Sequence, residues 1–447
     1  MNRDCVKETL TKPDLVKRMS TELTQIAERA RKHQGQALTN LHQFIDARTL
    51  EDSLLRLNRV SSPGVDQQDW ASYNEERSMR IPELLSRFKS GTYKAPPIRR
   101  VYIPKGKGGQ RPLGIPTIED KVLQESVRRI LEPIYEVDFK PFSFGFRKGY
   151  SAHQAVEYMF NKVSFEGMHY IIDADIKNYF GSINHGQLRE FLDLRVKDGV
   201  VRKMIDKWLK AGILEEGQLS YPKEGTPQGG VISPLLSNIY LHYVLDAWFS
   251  EEIQPRLKGR SFIVRYADDF VLGFEEAGDV SRVMRVLPKR FKKFNLELHP
   301  TKTQIINLDN NRGEGQRSFD FLGFTHYLGK SRKGYLVLKR KTSKTKFTLS
   351  LSKIRDWIRQ NRHRPLKELI VLLNSKLRGH YSYYGITFNS RCIGKFHKEV
   401  ERTLFKWLNR RGGKRSWPWE RYEKLVNEWI PLLRPRIYHS FLPAKPS

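Results

Sequence analysis

At 447 residues, with 39% hydrophobic and 11% aromatic content, the chain can bury two or three cores of its own, which excludes a disordered polymer. Lys and Arg total 80 against 49 Asp and Glu, a net charge of +31; self-repulsion on that scale calls for a polyanionic partner, nucleic acid first, with a merely solvated basic surface as the bland alternative. Two cysteines, Cys5 and Cys392, exclude a disulfide framework or a zinc site on paired cysteines and point to a reducing compartment.

Met1 to Leu15 carries Asp4, Glu8 and Asp14 with no apolar run, unlike a signal peptide, and no apolar stretch reaches 18 residues, so no spanning helix is expected. Residues 1–60 read as a helical extension, with Leu38, Leu41, Phe44 and Ile45 at helical spacing, until Ser61-Ser62-Pro63-Gly64 breaks the pattern. Arg99 to Pro104 reads as a strand and Lys105 to Gln110 as a glycine-rich turn. Asp120 to Tyr135 has a helical period through Val122, Val127, Ile130, Leu131 and Ile134. Two segments then read as buried strands: His169 to Asp175, and Phe262 to Tyr266 continued by Phe270 to Phe274, an apolar run split by a polar turn as in a β-hairpin. From about residue 345 the chain becomes helical and densely basic, with Leu366, Leu369, Ile370 and Leu373 on an apolar face.

Three aspartates stand out. Asp175 closes one strand, and Asp268 and Asp269 fill the turn of the hairpin. Like charges held together at the edge of a core are costly, and a divalent cation offsets that cost. Two Mg²⁺ ions bridging carboxylates to a triphosphate activate a hydroxyl nucleophile and stabilise a pyrophosphate leaving group, which is in-line phosphoryl transfer. A lone Asp-Asp pair is more often a surface turn; this one lies in a strand-like window, Ser261 to Phe274, and is matched by Asp175.

Tyr266-Ala267-Asp268-Asp269 resembles the signature of reverse transcriptases, and Asp173 to Phe180 resembles the family's first catalytic strand. The resemblance implies an RNA-directed DNA polymerase with catalytic Asp175, Asp268 and Asp269. Two Mg²⁺ ions, or Mn²⁺, would be held by these three and Ile176. Asp175 ranks ahead of Asp173 because the family's sugar-gate aromatic falls five residues later, at Phe180; a flat ring under C2′ leaves no room for a hydroxyl. Gly225 to Leu235 resembles the nucleotide and template loop, with Gln228 near the incoming base and sugar. Arg111 to Pro116 resembles the fingers segment that meets the triphosphate through Arg111, with Lys105 second. Thr301-Lys302-Thr303 resembles the segment whose lysine protonates pyrophosphate, and Phe321-Leu322-Gly323-Phe324 the turn that grips the primer end. Phe144 to Gly149 is family-like without an assigned role.

Ser62 to Asp66 is similar to the N-terminal extension of group II intron enzymes, and Leu373 to Gly385 resembles their thumb, or maturase, domain. There Lys376, Arg378, Tyr381 and Tyr383, with Arg410 and Arg411 further on, combine charge with stacking platforms suited to structured RNA. The implied fold is α+β, a right hand: a helical extension over 1–60, fingers and an antiparallel palm sheet over 61–328, and a helical thumb over 329–447. The last element closes near Ser447, which resembles compact group IIC-type proteins without an endonuclease, in a bacterial cytoplasm. Partners would be an RNA template, a DNA or RNA primer and dNTPs, with no membrane. A free-standing enzyme of DNA repair or phage defence and a maturase with an idle polymerase share these residues; an RNA-dependent RNA polymerase is disfavoured by Phe180.

Overall fold

The computed structural model describes residues 12–104, 109–221, 224–226, 228–308, 317–331, 333–411 and 418–441, with side chains from residue 21. It opens with α1 (Lys12–Lys32), a single 3-10 turn at Leu41–Phe44, α2 (Ala47–Arg56), α3 (Trp70–Glu75) and α4 (Arg77–Lys89). Leu38, Leu41 and Ile45 are buried, as their spacing suggests, but no α-helix carries them. Asn40 stands in the left-handed region at φ 55°, so the backbone turns there before Asp46 caps α2 by accepting from Thr49 N–H.

The fingers follow as β1 (Ile98–Pro104) and β2 (Gln110–Ile115), an antiparallel pair, then the long helix α5 (Ile118–Asp138) and α6 (Ala152–Glu166). Next come β3 (Tyr170–Asp175), α7 (Tyr179–Ser182), α8 (His185–Asp193), α9 (Gly199–Leu209), β4 (Ile213–Glu215), β5 (Gln218–Ser220) and α10 (Ser233–Leu241). Strands β4 and β5 join the fingers sheet in the order β2-β1-β4-β5. Helices α1, α2 and α3 pack on α5, and Ile26, Ala30, Leu50 and Leu54 share one core with Ile172 and Phe270. The N-terminal extension is therefore part of the main body.

The palm closes with β6 (Ser261–Tyr266), β7 (Asp269–Phe274), α11 (Ala277–Lys293) and β8 (Gln304–Asn307). Its sheet has the order β6-β7-β3-β8, antiparallel throughout, as expected. Strand β3 is central and its interior is buried on both faces, which is why it reads as one apolar run. A third sheet, β11-β10-β9, is built from β9 (Ser318–Phe321), β10 (Phe324–Lys330) and β11 (Leu336–Thr342).

The expected boundary at residue 328 falls inside β10. Phe319, Phe321, Val337 and Leu338 pack with Met159 and Phe160 of α6. The thumb core begins with α12 (Lys344–Asn361) and continues through α13 (Leu366–Tyr384), α14 (Ser390–Leu408) and α15 (Trp419–Lys424), around Ile358, Leu373, Leu377 and Phe396. Among the described residues no helix is long and apolar enough to cross a membrane.

Candidate active site

Pairing in the palm sheet brings the three aspartates together. Asp175 of β3 stands directly opposite Asp269 of β7, and Tyr266 of β6 opposite the same Asp269, which leaves Ala267 and Asp268 as the two-residue turn. Ala267 takes φ 58°, a conformation that costs an L-residue roughly 1–2 kcal/mol and has to be held.

Two devices hold it. Arg265 is fully buried and donates from Nη1 to the Ala267 carbonyl at 3.0 Å, while its Nε and Nη2 form a fork on Asp246, also fully buried, at 2.7 and 2.5 Å. Phe144 N–H donates to Arg265 O, and Gly145 lies so close that a Cβ there would stand 2.2 Å from Ala267 N. Phe144 and Gly145, in the segment left without an assigned role, thus buttress the Ala267-Asp268 turn. Sequence reading missed Arg265 and Asp246. The available signal was a charge within the apolar run Phe262 to Tyr266, which requires a buried partner.

Burial, reinforced by the charges of Asp173, Asp175 and Asp268, pushes the Asp269 carboxyl well above the usual carboxylate range. Burial likewise raises Asp268, with the Asp175 charge adding to it and Arg111 and Lys302 opposing. Lys302 Nζ pairs directly with Asp175 Oδ2. The strand-like segment Glu297 to His299 sets this up: Lys177 N–H donates to Glu297 O and His299 N–H to Asp175 O, each at 2.8 Å. Asp173, on the same face of β3 as Asp175, accepts from Gln304 Nε2 at 3.0 Å; burial raises it to about 7.

On the fingers side, Arg111 Nε donates to Gln228 Oε1 at 3.2 Å and Gly114 N–H to Gln228 O at 2.5 Å, so β2 and the Gly225–Leu235 loop meet at the side chains singled out for the nucleotide. Phe180 is 8% exposed, and its carbonyl accepts from Thr226 N–H at 2.7 Å, which fixes that loop to α7. A cleft of about 220 Å³ opens among Arg100, Pro112, Asn178, Gly181, Thr226 and Gln228. Lys105 lies outside the described residues.

Residues 103–326, half the chain, match the family model for reverse transcriptase (RNA-dependent DNA polymerase). The chain belongs to the reverse transcriptase family. Residues 350–425 match the group II intron maturase-specific domain. The group II intron-encoded protein LtrA of Lactococcus lactis subsp. cremoris is 29% identical over 470 residues, covering 86% of this chain and 76% of LtrA. Protein YkfC of Escherichia coli (strain K12) is 36% identical over 242 residues, 47% of this chain and 63% of its own length. This reverse transcriptase is thus an RNA-directed DNA polymerase of the group II intron type, with a maturase segment that serves splicing.

The family works with divalent metal ions, and the palm aspartates fit such an ion. Their donors are hard carboxylate oxygens, and their ionisation is held back by burial and mutual repulsion that a cation would relieve. Ile176 is buried and apolar, so it has only its backbone oxygen to offer. Among the described residues no group of three Asp, Glu, His or Cys side chains is arranged to hold a metal ion by itself. Open sites of one or two carboxylates completed by substrate phosphates are the usual arrangement for Mg²⁺.

The thumb residues named for RNA divide into two groups. Lys376, Arg378 and Arg410 of the reverse transcriptase are exposed, with Lys376 Nζ 4.9 Å from the centre of the Trp357 ring. The other three are committed within the protein. Tyr381 is fully buried with its hydroxyl 3.0 Å from His397 Nδ1, so no base stacks on it. Tyr383 donates its hydroxyl to Leu322 O at 2.8 Å, and Arg411 donates to Arg364 O at 2.9 Å.

Proposed function

We propose that this reverse transcriptase extends a primer 3′-hydroxyl on an RNA template using two Mg²⁺ ions, and that its maturase segment grips intron RNA for splicing and retrohoming. The observation that carries the reading is the register that sets Asp175 opposite Asp269 with Asp268 in the adjoining turn. Asp175, Asp268, Asp269 and the Ile176 carbonyl would hold the ions, which when bound neutralise the triphosphate and acidify the 3′-hydroxyl. The Arg111 guanidinium meets the triphosphate, Gln228 the base and sugar, and the Phe180 ring lies under C2′. The 3′-hydroxyl gives up its proton to solvent and its oxygen forms a bond to the α-phosphorus as the bond to the pyrophosphate oxygen breaks, and Lys302 Nζ delivers a proton to that leaving oxygen. Phe321, Leu322 and Gly323 hold the primer end. Lys376, Arg378 and Arg410 take phosphates of the intron RNA. The division supported by packing is a main body through β11 and a thumb from α12 onward.

The test is extension of a DNA primer on an RNA template with dNTPs and Mg²⁺ or Mn²⁺. Product is expected with metal and none after chelation, while RNA binding survives chelation. Tight RNA binding with no synthesis under any salt or metal condition would leave a maturase alone. In the same assay Phe180→Ala is expected to reduce discrimination against ribonucleotides by about 10–200-fold, the range for one small group admitted to a pocket. Unchanged sugar selectivity would remove Phe180 from the gate.

A further inference from the structure

The turn between β9 and β10 is a two-residue hairpin: Phe321 pairs with Phe324, and both residues between them have positive φ, Leu322 at 49° and Gly323 at 80°. Two-residue hairpins favour such turns because their twist matches the strands. Glycine accepts the second position freely, but a bulky residue at the first is an outlier that its surroundings must fix. The surroundings here are the thumb. Tyr383, in the last turn of α13, donates its hydroxyl to Leu322 O at 2.8 Å, and Ser343, immediately before α12, donates its N–H to Gly323 O at 3.0 Å. Both carbonyls of the turn therefore hang from the thumb side.

Tyr383 is itself held on three sides. Its ring lies 14° from parallel to that of Phe324, with centroids 5.7 Å apart, and its carbonyl accepts from His153 Nε2 of α6 at 2.8 Å. The adjacent Tyr384 closes the remaining space, with its hydroxyl oxygen 3.3 Å from where a Cβ on Gly323 would stand. The Tyr383 hydroxyl, raised chiefly by burial, lies within electrostatic reach of Tyr266 and Asp269. A tyrosine placed for stacking on RNA would be exposed; this one is half-buried with its only polar atom engaged.

We propose that Tyr383 is a positioning residue for polymerisation: its hydroxyl holds Leu322 and Gly323 in the conformation that aims the primer 3′-end at Asp175 and Asp269. The inference rests on reading Phe321 to Gly323 as the primer-gripping turn. It also makes the maturase segment a working part of the polymerase, since Tyr383 lies within 350–425 and Leu322 within 103–326.

The experiment compares Tyr383→Phe, which keeps the ring and its stack and removes only the hydroxyl, with Gly323→Ala, which strains the turn directly. Single-nucleotide addition is measured on a saturating primer–RNA duplex with dNTP varied, alongside RNA affinity and melting temperature. With Tyr383→Phe, kcat is expected to fall about 3–10-fold, the value of one net hydrogen bond, while the dNTP KM, RNA affinity and melting temperature stay near wild type. Gly323→Ala is expected to lower kcat likewise. If Gly323→Ala lowers kcat and Tyr383→Phe leaves it within twofold, the role of Tyr383 is overturned and the primer-gripping reading stands. If neither moves kcat, the primer-gripping reading falls and takes the inference with it. A loss of kcat in Tyr383→Phe that parallels a large loss of melting temperature would mark the tyrosine as structural only, which also overturns the proposal.

Discussion

Asp268→Ala/Asp269→Ala is expected to reduce primer extension by more than about 10³-fold, the scale of loss when a preorganised electrostatic contribution to a transition state is removed. RNA binding should survive, since the exposed cations of the thumb are untouched. The variant should also be at least as thermostable as the wild type. Both carboxyls are raised by burial and by neighbouring charge. For an acid with a raised folded-state pKa, stability is greatest below its unfolded pKa, near 3.9 for aspartate, and is lost as pH rises through the folded value. Removing the two groups removes that loss, so the melting-temperature advantage of the variant should grow as pH rises above the unfolded aspartate range, near 3.9, in metal-free buffer. Added Mg²⁺ should stabilise the wild type and narrow the gap. A double variant that polymerises at the wild-type rate would remove the catalytic assignment. One that melts far below wild type at pH 8 would contradict the electrostatic account of the turn.

That opposition between function and stability also explains how much could be read beforehand. The palm strands were legible because β3 and the β6–β7 hairpin are apolar on both faces, so three carboxylates at their ends had no structural reason to be there. Arg111 and Gln228, 117 residues apart, were legible only through family likeness, as no periodicity links them. The burial of Tyr381 was readable, as one of the thumb tyrosines expected to pack into the core: Leu369, Leu373, Leu377 and Tyr381 follow at four-residue steps, which puts the tyrosine on the apolar face of α13. Tyr383 is different. It lies off that stripe, and its task depends on β9 and β10 folding back to α13, a tertiary event with no local trace. The change of composition near residue 345 coincides with the start of α12, whereas the boundary expected at 328 falls inside β10, where no compositional change marks the chain and apolar residues of β10 and β11 pack on α6.

The Arg265–Asp246 pair gives the second large effect, and a double-mutant cycle separates its two roles. Arg265→Met alone leaves Asp246 buried without its cation, and Asp246→Leu alone leaves Arg265 without its anion. Each is expected to cost about 3–5 kcal/mol, a large share of a total stability of about 5–15 kcal/mol, and to yield poorly folded protein. Combining them removes both charges and replaces them with apolar groups, so chemical denaturation of the double variant should show most of that loss recovered. Polymerase activity should not recover with it. Arg265 Nη1 is also the donor to the Ala267 carbonyl, and without it the left-handed alanine that presents Asp268 and Asp269 loses one of its two anchors, leaving Gly145 as the other. A refolded, RNA-binding double variant with slow extension is therefore the expected result, with the deficit in kcat because the nucleotide contacts at Arg111 and Gln228 are intact. If the double variant regained stability and activity together, the buried pair would serve folding alone, and Gly145 with the strand pairing would suffice to hold the catalytic turn.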